Sequence, residues 1–273
     1  MILSMSHAVI CVKFGEEETF RLFNQVGFTG VDYSFCDRGL DFENYIEMAK
    51  ETKRLLDKYN LVCNQAHAPY NFSYGESMDE SSKNFLDIVR CFEYAQIIGA
   101  KVVVVHAVKL PPEVDFYDYN YKYYKALEPY AKKCNVKIAI ENLLNSKFWL
   151  PNKLCGFINS LESDVFCACV DVGHCAIVGV SPEKFIDGME KDKILCVHLH
   201  DTDGQMDRHW TPFQGIHNWQ NIIKALAKYN FKGDMSLEVI HSFDNLPLEL
   251  YPAMLEYIAK VGKLLINEFE KSV

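Results

Sequence analysis

An eightfold alternation of apolar runs and amphipathic stretches is the feature that most constrains how this chain can fold. The apolar runs are short and occupy 7–12, 30–35, 61–67, 101–106, 136–141, 166–171, 194–199 and 235–240. The stretches between them, such as 81–99 and 219–230, place apolar residues three and four apart, as one buried helix face requires. Continuous apolar runs are typical of parallel strands that are covered on both faces. We therefore predict a (β/α)8 TIM barrel in the α/β class, with an open doubly wound sheet as the alternative.

Length and composition agree with one large core. A chain of 273 residues has the size usual for eight β/α units, and 49% of its residues are hydrophobic and 13% aromatic. No stretch rich in Pro, Gly or Ser and no change of composition divides the chain. We expect a single barrel domain over 1–273.

The net charge limits which partners the protein can bind, and the cysteine content indicates its cellular compartment. The formal net charge of −9, without a compensating run of Lys or Arg, disfavours nucleic acid as a partner. The ten cysteines are spread without paired spacing, and several lie in apolar runs, which predicts buried reduced thiols in a cytoplasmic protein. No apolar segment is long enough for a membrane span, so we expect no membrane association. A homo-oligomer is compatible with this composition.

Polar residues of metal-ligand type stand at the ends of six of the eight runs. In a β/α barrel the chemistry lies at the carboxyl ends of the strands, so these residues mark the candidate site. They are His67, His106, Glu141, Asp171 with His174, His198 and His200 followed by Asp207 and His209, and Glu238.

Two of these residues are acids in apolar surroundings. Glu141 ends "KIAIE" and Glu238 lies in "SLEVI", and a buried carboxylate without a partner is costly. A hydrogen-bond network would compensate them, and so would a divalent cation that also binds Asp171 and His198. We favour the cation, because a single ion would be a partner for all four buried side chains at once. A single strand-end histidine, taken alone, is more often structural.

The segments "HAPY", "IEN", "DVGH", "HLHD" and "DRHW", in this order and each after its run, resemble the xylose isomerase-like barrel superfamily. The resemblance extends from "GFTGVDYS" to "LEVI", which is nearly the whole chain. The superfamily contains sugar isomerases, ketose epimerases, inosose-processing enzymes and endonuclease IV. In its sugar-processing members a Glu, an Asp, a His and a Glu from strands five to eight hold one divalent ion.

Carried over by motif, the resemblance implies that Glu141, Asp171, His198 and Glu238 are the metal ligands. His198 is preferred to His200 because it begins the His-x-x-Asp pattern, although residues two apart on a strand face the same way. In the endonuclease branch three zinc ions have nine ligands, and every one has a matching residue type here. The five matches beyond the first four are possible ligands of additional ions: His67, His106, His174, Asp207 and His209.

The sequence also departs from ketose 3-epimerases. Those enzymes carry a second Glu six residues after the strand-five ligand, where this chain has Lys147. They also carry an Arg six residues after the strand-seven His, where Gly204 or Met206 stands, depending on which histidine is counted.

We therefore expect a divalent-metal-dependent sugar or polyol isomerase or epimerase that transfers a proton through a metal-stabilised enediolate. Glu141 and Glu238 would be the general base and acid. Residues expected to bind a sugar or sugar phosphate are His67, His106, His174, His200 and Lys147. The ion would be zinc or manganese, with cobalt or magnesium as alternatives. The rival functions are a zinc phosphodiesterase acting on abasic DNA and a non-catalytic sugar-binding barrel.

Overall fold

A computed structural model describes residues 1–35, 43–144 and 146–273. Its eight strands are β1 (Leu3–Met5), β2 (Gly30–Ser34), β3 (Val62–His67), β4 (Val102–Val105), β5 (Lys137–Glu141), β6 (Phe166–Asp171), β7 (Ile194–His198) and β8 (Met235–Leu237). Strands β2 to β7 form a parallel sheet in chain order, and β1 pairs in parallel with β8. Single backbone bridges, Ser6 to Asp32 and Leu199 to Leu237, join the two sheets. The predicted (β/α)8 barrel is thus confirmed.

Helices surround the strands. The described α-helices are α1 (Ala8–Phe14), α2 (Glu16–Val26), α3 (Tyr45–Lys58), α4 (Lys83–Ile98), α5 (Phe116–Lys133), α6 (Pro151–Ser160), α7 (Val172–Ile177), α8 (Pro182–Asp187), α9 (Trp219–Tyr229) and α10 (Tyr251–Ser272). Four of the described helices begin after a side chain that accepts a backbone N–H: Ser82 before α4, Asp115 before α5, Asp171 before α7 and Asn218 before α9. None of these helices is long and apolar enough to cross a membrane.

The first strand was predicted wrongly. The run 7–12 belongs to helix α1, and the strand is Leu3–Met5, which pairs with Met235–Leu237 of β8. The run misleads because its apolar residues are contiguous, but burial in α1 is selective: Ala8 and Cys11, three residues apart, are buried, whereas Val12 is 62% exposed. The eighth strand is also shorter than its run, because it ends at Leu237 and a 3-10 helix begins at Ile240.

The alternation of side chains along the strands positions the site. On β4 to β7, residues such as Val103, Ile140 and Val170 pack in the main core beneath the helices. The residues between them form a separate small core of Val102, Val104, Ala139, Cys167, Cys169 and Cys196. This second set faces the barrel interior. Two residues further along each strand or just beyond it, the same inward face carries His106, Glu141, Asp171 and His198.

Candidate metal centre

Glu141, at the end of β5, is the hub of the candidate site. Its carboxylate is buried, and imidazole nitrogens of four histidines lie around it. The distances are 2.8 Å to His106 Nε2, 3.6 Å to His67 Nε2, 3.3 Å to His174 Nδ1 and 3.4 Å to His198 Nδ1. Burial alone would raise the pKa of Glu141, but the charge of His106 and the close approach of the His106, His174 and His198 imidazoles hold it well below its usual value. Glu141 is therefore an anion.

His67 and His106 converge on one oxygen of that carboxylate. The Nδ1–H of His67 donates to the carbonyl of Ala68 at 2.8 Å, which leaves Nε2 as the atom that faces the site. This Nε2 lies 3.0 Å from Nε2 of His106, and both are close to Oε2 of Glu141. Two imidazole nitrogens and a carboxylate oxygen at these separations form a group that can hold a metal ion.

Asp171 ends β6 and begins α7. Its Oδ1 accepts the backbone N–H of His174 at 2.8 Å, so the carboxylate is fixed as the cap of this helix. Its backbone N–H is in turn bound by Asn142 Oδ1 at 2.7 Å. Burial would raise the pKa of Asp171, but the charges of His174 and His200, with the hydrogen bond from His200, lower it to about 2.

His200 supports Asp171 from behind. Its Nε2 lies 3.0 Å from both carboxylate oxygens of Asp171, and its ring stacks on His209 with 4.0 Å between centroids. The ring occupies space that only a glycine at position 173 leaves open, since a Cβ there would lie 2.0 Å from His200 Cε1. His200 is fully buried and is not among the described residues that line the cavity. The expected contact between His200 and substrate stays a prediction, and this buried position gives it no support.

His198, at the end of β7, stands among four carboxylates. Its Nδ1 lies 3.2 Å from Glu238 Oε2, 3.4 Å from Glu141 Oε1 and 3.9 Å from Asp171 Oδ2. Its Nε2 points the other way, 3.6 Å from Asp32 Oδ2. Burial would lower the pKa of His198, but the charges of Glu238, Glu141 and Asp32 raise it well above the usual value. Carboxylates this close together repel one another, so a positive charge among them is needed to offset the repulsion.

The loop after β7 folds back over the site. Asp207 Oδ2 lies 3.3 Å from His174 Nε2 and 3.1 Å from His209 Nε2. The Nδ1–H of His209 donates to the carbonyl of Glu238 at 2.8 Å, which ties the loop to the end of β8. Burial would raise the pKa of Asp207, but hydrogen bonds from His174 and His209 lower it strongly. The pKa of His209 rises to about 9, because the nearby charge of Glu238 and the hydrogen bond to Asp207 outweigh burial.

Several buried atoms of this cluster fit a metal ion. Among the described residues, no well-directed hydrogen bond reaches Glu141 Oε2, His174 Nδ1, Asp207 Oδ1 or either ring nitrogen of His198. Buried polar atoms are normally paired, so unpaired atoms that face one another need an explanation. Three groups of three ligand atoms lie close enough to share an ion: His67, His106 and Glu141; Glu141, Asp171 and His198; and His200, His209 and Glu238. The donor set, imidazole and carboxylate without thiolate, suits a divalent cation such as zinc or manganese.

A cavity of about 660 Å³ opens above the cluster. Of the residues predicted for the site, it is lined by His67, His106, Glu141, His174, Asp207, His209 and Glu238. Its outer wall is largely apolar and aromatic, with Tyr74, Phe116 and Leu144 among its residues. Asp171 and His198 lie below this surface.

Lys147 is not brought to the cavity. It is exposed, and its ammonium lies 5.9 Å from the centre of the Tyr117 ring. This placement argues against the predicted contact between Lys147 and substrate. Its offset from Glu141 predicts a site residue, but the neighbouring Leu144 and Ser146 line the cavity and Lys147 does not.

Sequence reasoning missed Asp32. It lies in the middle of β2, is buried, and accepts hydrogen bonds from Gln65 Nε2 at 2.7 Å and Ser236 Oγ at 2.8 Å. Asp32 does not end its apolar run, so a strand-end position does not mark it. The signal was available in "GVDYS", where a lone acid interrupts a buried strand.

Comparison with known proteins agrees with this fold. The family described as "Xylose isomerase-like TIM barrel" matches residues 20–261. Uncharacterized protein y4fM of Sinorhizobium fredii is 26% identical over 259 residues, covering 82% of this chain and 81% of the relative. Probable endonuclease 4 of Mycoplasma capricolum is 28% identical over 198 residues, covering 64% of this chain and 66% of the relative.

Two solved structures are similar along nearly the whole chain. A D-tagatose 3-epimerase-like protein superposes with a TM-score of 0.79 at 19% identity, over 99% of each chain. The IOLI protein with a bound zinc atom has a TM-score of 0.73 at 17% identity, over 100% of this chain and 99% of its own. At such low sequence identity, these similarities are evidence for a shared fold only.

Proposed function

The chain belongs to the xylose isomerase-like TIM barrel family, and we propose that it is a divalent-metal-dependent isomerase or epimerase of a sugar or polyol. The observation that carries this proposal is the convergence of Glu141, His198 and Glu238 at the floor of an open cavity. A similar fold in a D-tagatose 3-epimerase-like protein supports the substrate class.

Glu141, Asp171, His198 and Glu238 are the residues that would hold the ion. The first three already form one compact group of ligand atoms, and Glu238 Oε2 lies 3.2 Å from His198 Nδ1. Zinc and manganese suit this mixed nitrogen and oxygen set, and a zinc atom is bound in the similar IOLI structure. When bound, such an ion polarises a substrate carbonyl and stabilises the enediolate that follows loss of the neighbouring proton.

Proton transfer is assigned to the two glutamates. Both line the cavity, and they approach it from strands separated by β6 and β7, so a substrate between them has one carboxylate on each side. The strongly lowered pKa of Glu141 keeps it ready to accept a proton but makes it a weak base. Glu238, whose side chain is 15% exposed, contacts fewer histidines and is the better candidate for proton abstraction.

The histidines on the opposite wall are assigned to substrate hydroxyls. His67, His106 and His174 line the cavity and surround Glu141. An imidazole both donates and accepts hydrogen bonds, which suits vicinal hydroxyl groups. His174 is held on two sides, by Glu141 at Nδ1 and by Asp207 at Nε2. A substrate hydroxyl at His174 would replace one of these two contacts.

A zinc phosphodiesterase is the second candidate, because all nine residues matching the endonuclease ligand set lie in this one cluster. His67, His106 and Glu141 form one possible additional site, and His174, Asp207 and His209 form another. Relatives named Probable endonuclease 4 support this candidate. The net charge of −9 opposes it, and Lys109 is the only Lys or Arg among the described residues of the cavity lining.

Metal analysis combined with a carboxylate exchange tests the proposal. We expect one tightly held ion in protein purified without added metal. Glu238→Gln should retain the fold but lose turnover on ketose and polyol substrates by at least about 100-fold, as expected when a general base is removed. Glu141→Gln should also abolish turnover. Asp234→Asn, which makes the same chemical change in a buried acid outside the cavity lining, should retain activity. Near-wild-type turnover in Glu238→Gln would disprove the proton-transfer assignment.

Binding to a DNA duplex with an abasic site separates the two candidates. We expect weak binding that disappears at moderate salt, because an acidic protein lacks the contacts that release counterions from DNA. Three zinc ions per chain, together with salt-resistant binding and cleavage beside the lesion, would reverse the ranking.

A further inference from the structure

The ring of His198 presents its two nitrogens to different partners. Nδ1 faces the candidate metal site, 3.2 Å from Glu238 and 3.4 Å from Glu141. Nε2 faces away from it, 3.6 Å from Asp32 Oδ2. The ring is 1% exposed, so no solvent competes for either nitrogen. The orientation of this imidazole is therefore decided by the carboxylates on its two sides.

Asp32 is held where its carboxylate can accept a hydrogen bond from His198. Gln65 on β3 and Ser236 on β8 both donate to Oδ2, at 2.7 and 2.8 Å. Oδ1 has no hydrogen-bond partner among the described residues. Two neutral donors do not compensate a carboxylate that is 2% exposed in the barrel interior. The imidazole of His198 also faces this carboxylate, with Nε2 nearest to Oδ2.

We propose that Asp32 is a positioning residue that accepts the Nε2–H of His198, so that Nδ1 is the nitrogen presented to the metal. The inference rests on the proposed metal centre. Ligand histidines commonly donate their second ring N–H to a carboxylate, which fixes the ring and increases the basicity of the ligand nitrogen. The observed 3.6 Å between Nε2 and Oδ2 is longer than a hydrogen bond, and we expect it to shorten when Nδ1 binds an ion.

A purely structural role for Asp32 makes a different prediction. Through Gln65 and Ser236 the carboxylate links β2 to β3 and β8, so its loss would reduce stability in any case. A structural role would leave the affinity of the folded protein for metal unchanged. Metal affinity, measured without substrate, therefore separates the two roles.

Asp32→Asn is the sharpest test, because the amide keeps the size of the side chain and removes its charge. Because Gln65 and Ser236 both donate to the atom that faces Nε2, the amide oxygen should take that position and accept the Nε2–H less strongly than a carboxylate does, which lowers the basicity of Nδ1. Titration calorimetry with Zn²⁺ alone should show affinity weakened by about 10- to 100-fold. The matched control is Asp234→Asn, another buried acid, bound by Asn64 at 2.9 Å, and it should bind Zn²⁺ like the wild type.

The outcomes are distinct. If the wild-type protein binds no Zn²⁺, the proposed metal centre fails. If the wild type binds Zn²⁺ and folded Asp32→Asn binds it equally well, only the role of Asp32 fails. If Asp32→Asn does not fold, nitrogen NMR of the Zn²⁺-loaded wild type decides, with the His198 signals identified by their loss in His198→Asn. A protonated Nε2 on His198 supports the proposal, and Zn²⁺ bound through Nε2 overturns it.

Discussion

The indole N–H of Trp219 donates a 2.8 Å hydrogen bond to the buried carboxylate of Asp201. This contact joins the first residue of α9 to the chain just beyond β7. Three backbone N–H groups of the intervening loop, those of Thr202, Phe213 and His217, donate to the same carboxylate. The loop that carries Asp207 and His209 is thus organised around one anion.

We expect Asp201→Asn to loosen this loop. An amide offers one acceptor oxygen in place of two, so buried N–H groups lose their partner, and the free energy of unfolding should fall by about 2–4 kcal/mol. Denaturant unfolding measures the loss, and hydrogen exchange should locate it between 202 and 217. The exposed Asp244→Asn serves as control. Wild-type exchange in this loop would show that Asp201 does not organise it.

Gly173→Ala should disturb the support of Asp171. The added Cβ would lie 2.0 Å from Cε1 of His200, a ring without free space around it, and such overpacking costs about 1–3 kcal/mol. Because His200 bonds to Asp171, Zn²⁺ affinity should fall as well. Gly156→Ala is the matched control: this helical glycine has no atom within 4 Å of the added Cβ, and the change should stabilise by about 0.5–1 kcal/mol. Equal stabilities of the two variants would contradict the steric argument.

Substitutions of His198 and of the loop residues Asp207 and His209 should differ in their effect on metal content. We expect His198→Asn to remove the central ion, because His198 Nδ1 lies among Glu141, Asp171 and Glu238. Asp207→Asn combined with His209→Asn should retain one tightly held ion while activity weakens. Elemental analysis of the purified variants decides. Loss of all metal in the loop variant, or retention of metal in His198→Asn, would invert this order.

Asp234 should make stability depend on pH. Burial raises the pKa of Asp234 to about 6 in the folded protein, although Asn64 donates to it. A carboxyl whose folded pKa is raised favours the folded state at pH 4 and below, and this contribution is lost as the pH rises through about 6. Asp234→Asn should therefore increase the free energy of unfolding at pH 7 relative to pH 4, by up to about 3 kcal/mol. A variant with the wild-type pH profile would rule this out.

The sequence reveals the barrel and much of the site, for physical reasons. Covered parallel strands need continuous apolar runs, and an acid such as Glu141 at the end of one is conspicuous because burying it is costly. The run 7–12 misled because a short apolar segment suits a helix as well as a strand, and only the pairing of Leu3–Met5 with β8 separates the two. The roles of His198 and His200 could not be separated either. Both lie on one face of β7 and its extension, and their difference depends on Gly173, a residue from another strand-helix unit.

The distribution of sulfur has a practical consequence. The nine cysteines that the structure describes are all buried and form no disulfide, and Cys36 lies outside the described residues. Cys167, Cys169 and Cys196 lie inside the barrel, below the layer that contains Asp171 and His198. A thiol reagent can reach them only when the strands separate. In a Cys36→Ser background, the labelling rate of these thiols therefore measures how often the barrel opens. A change in this rate when metal is added reports how strongly the layer of Asp171 and His198 opposes that opening.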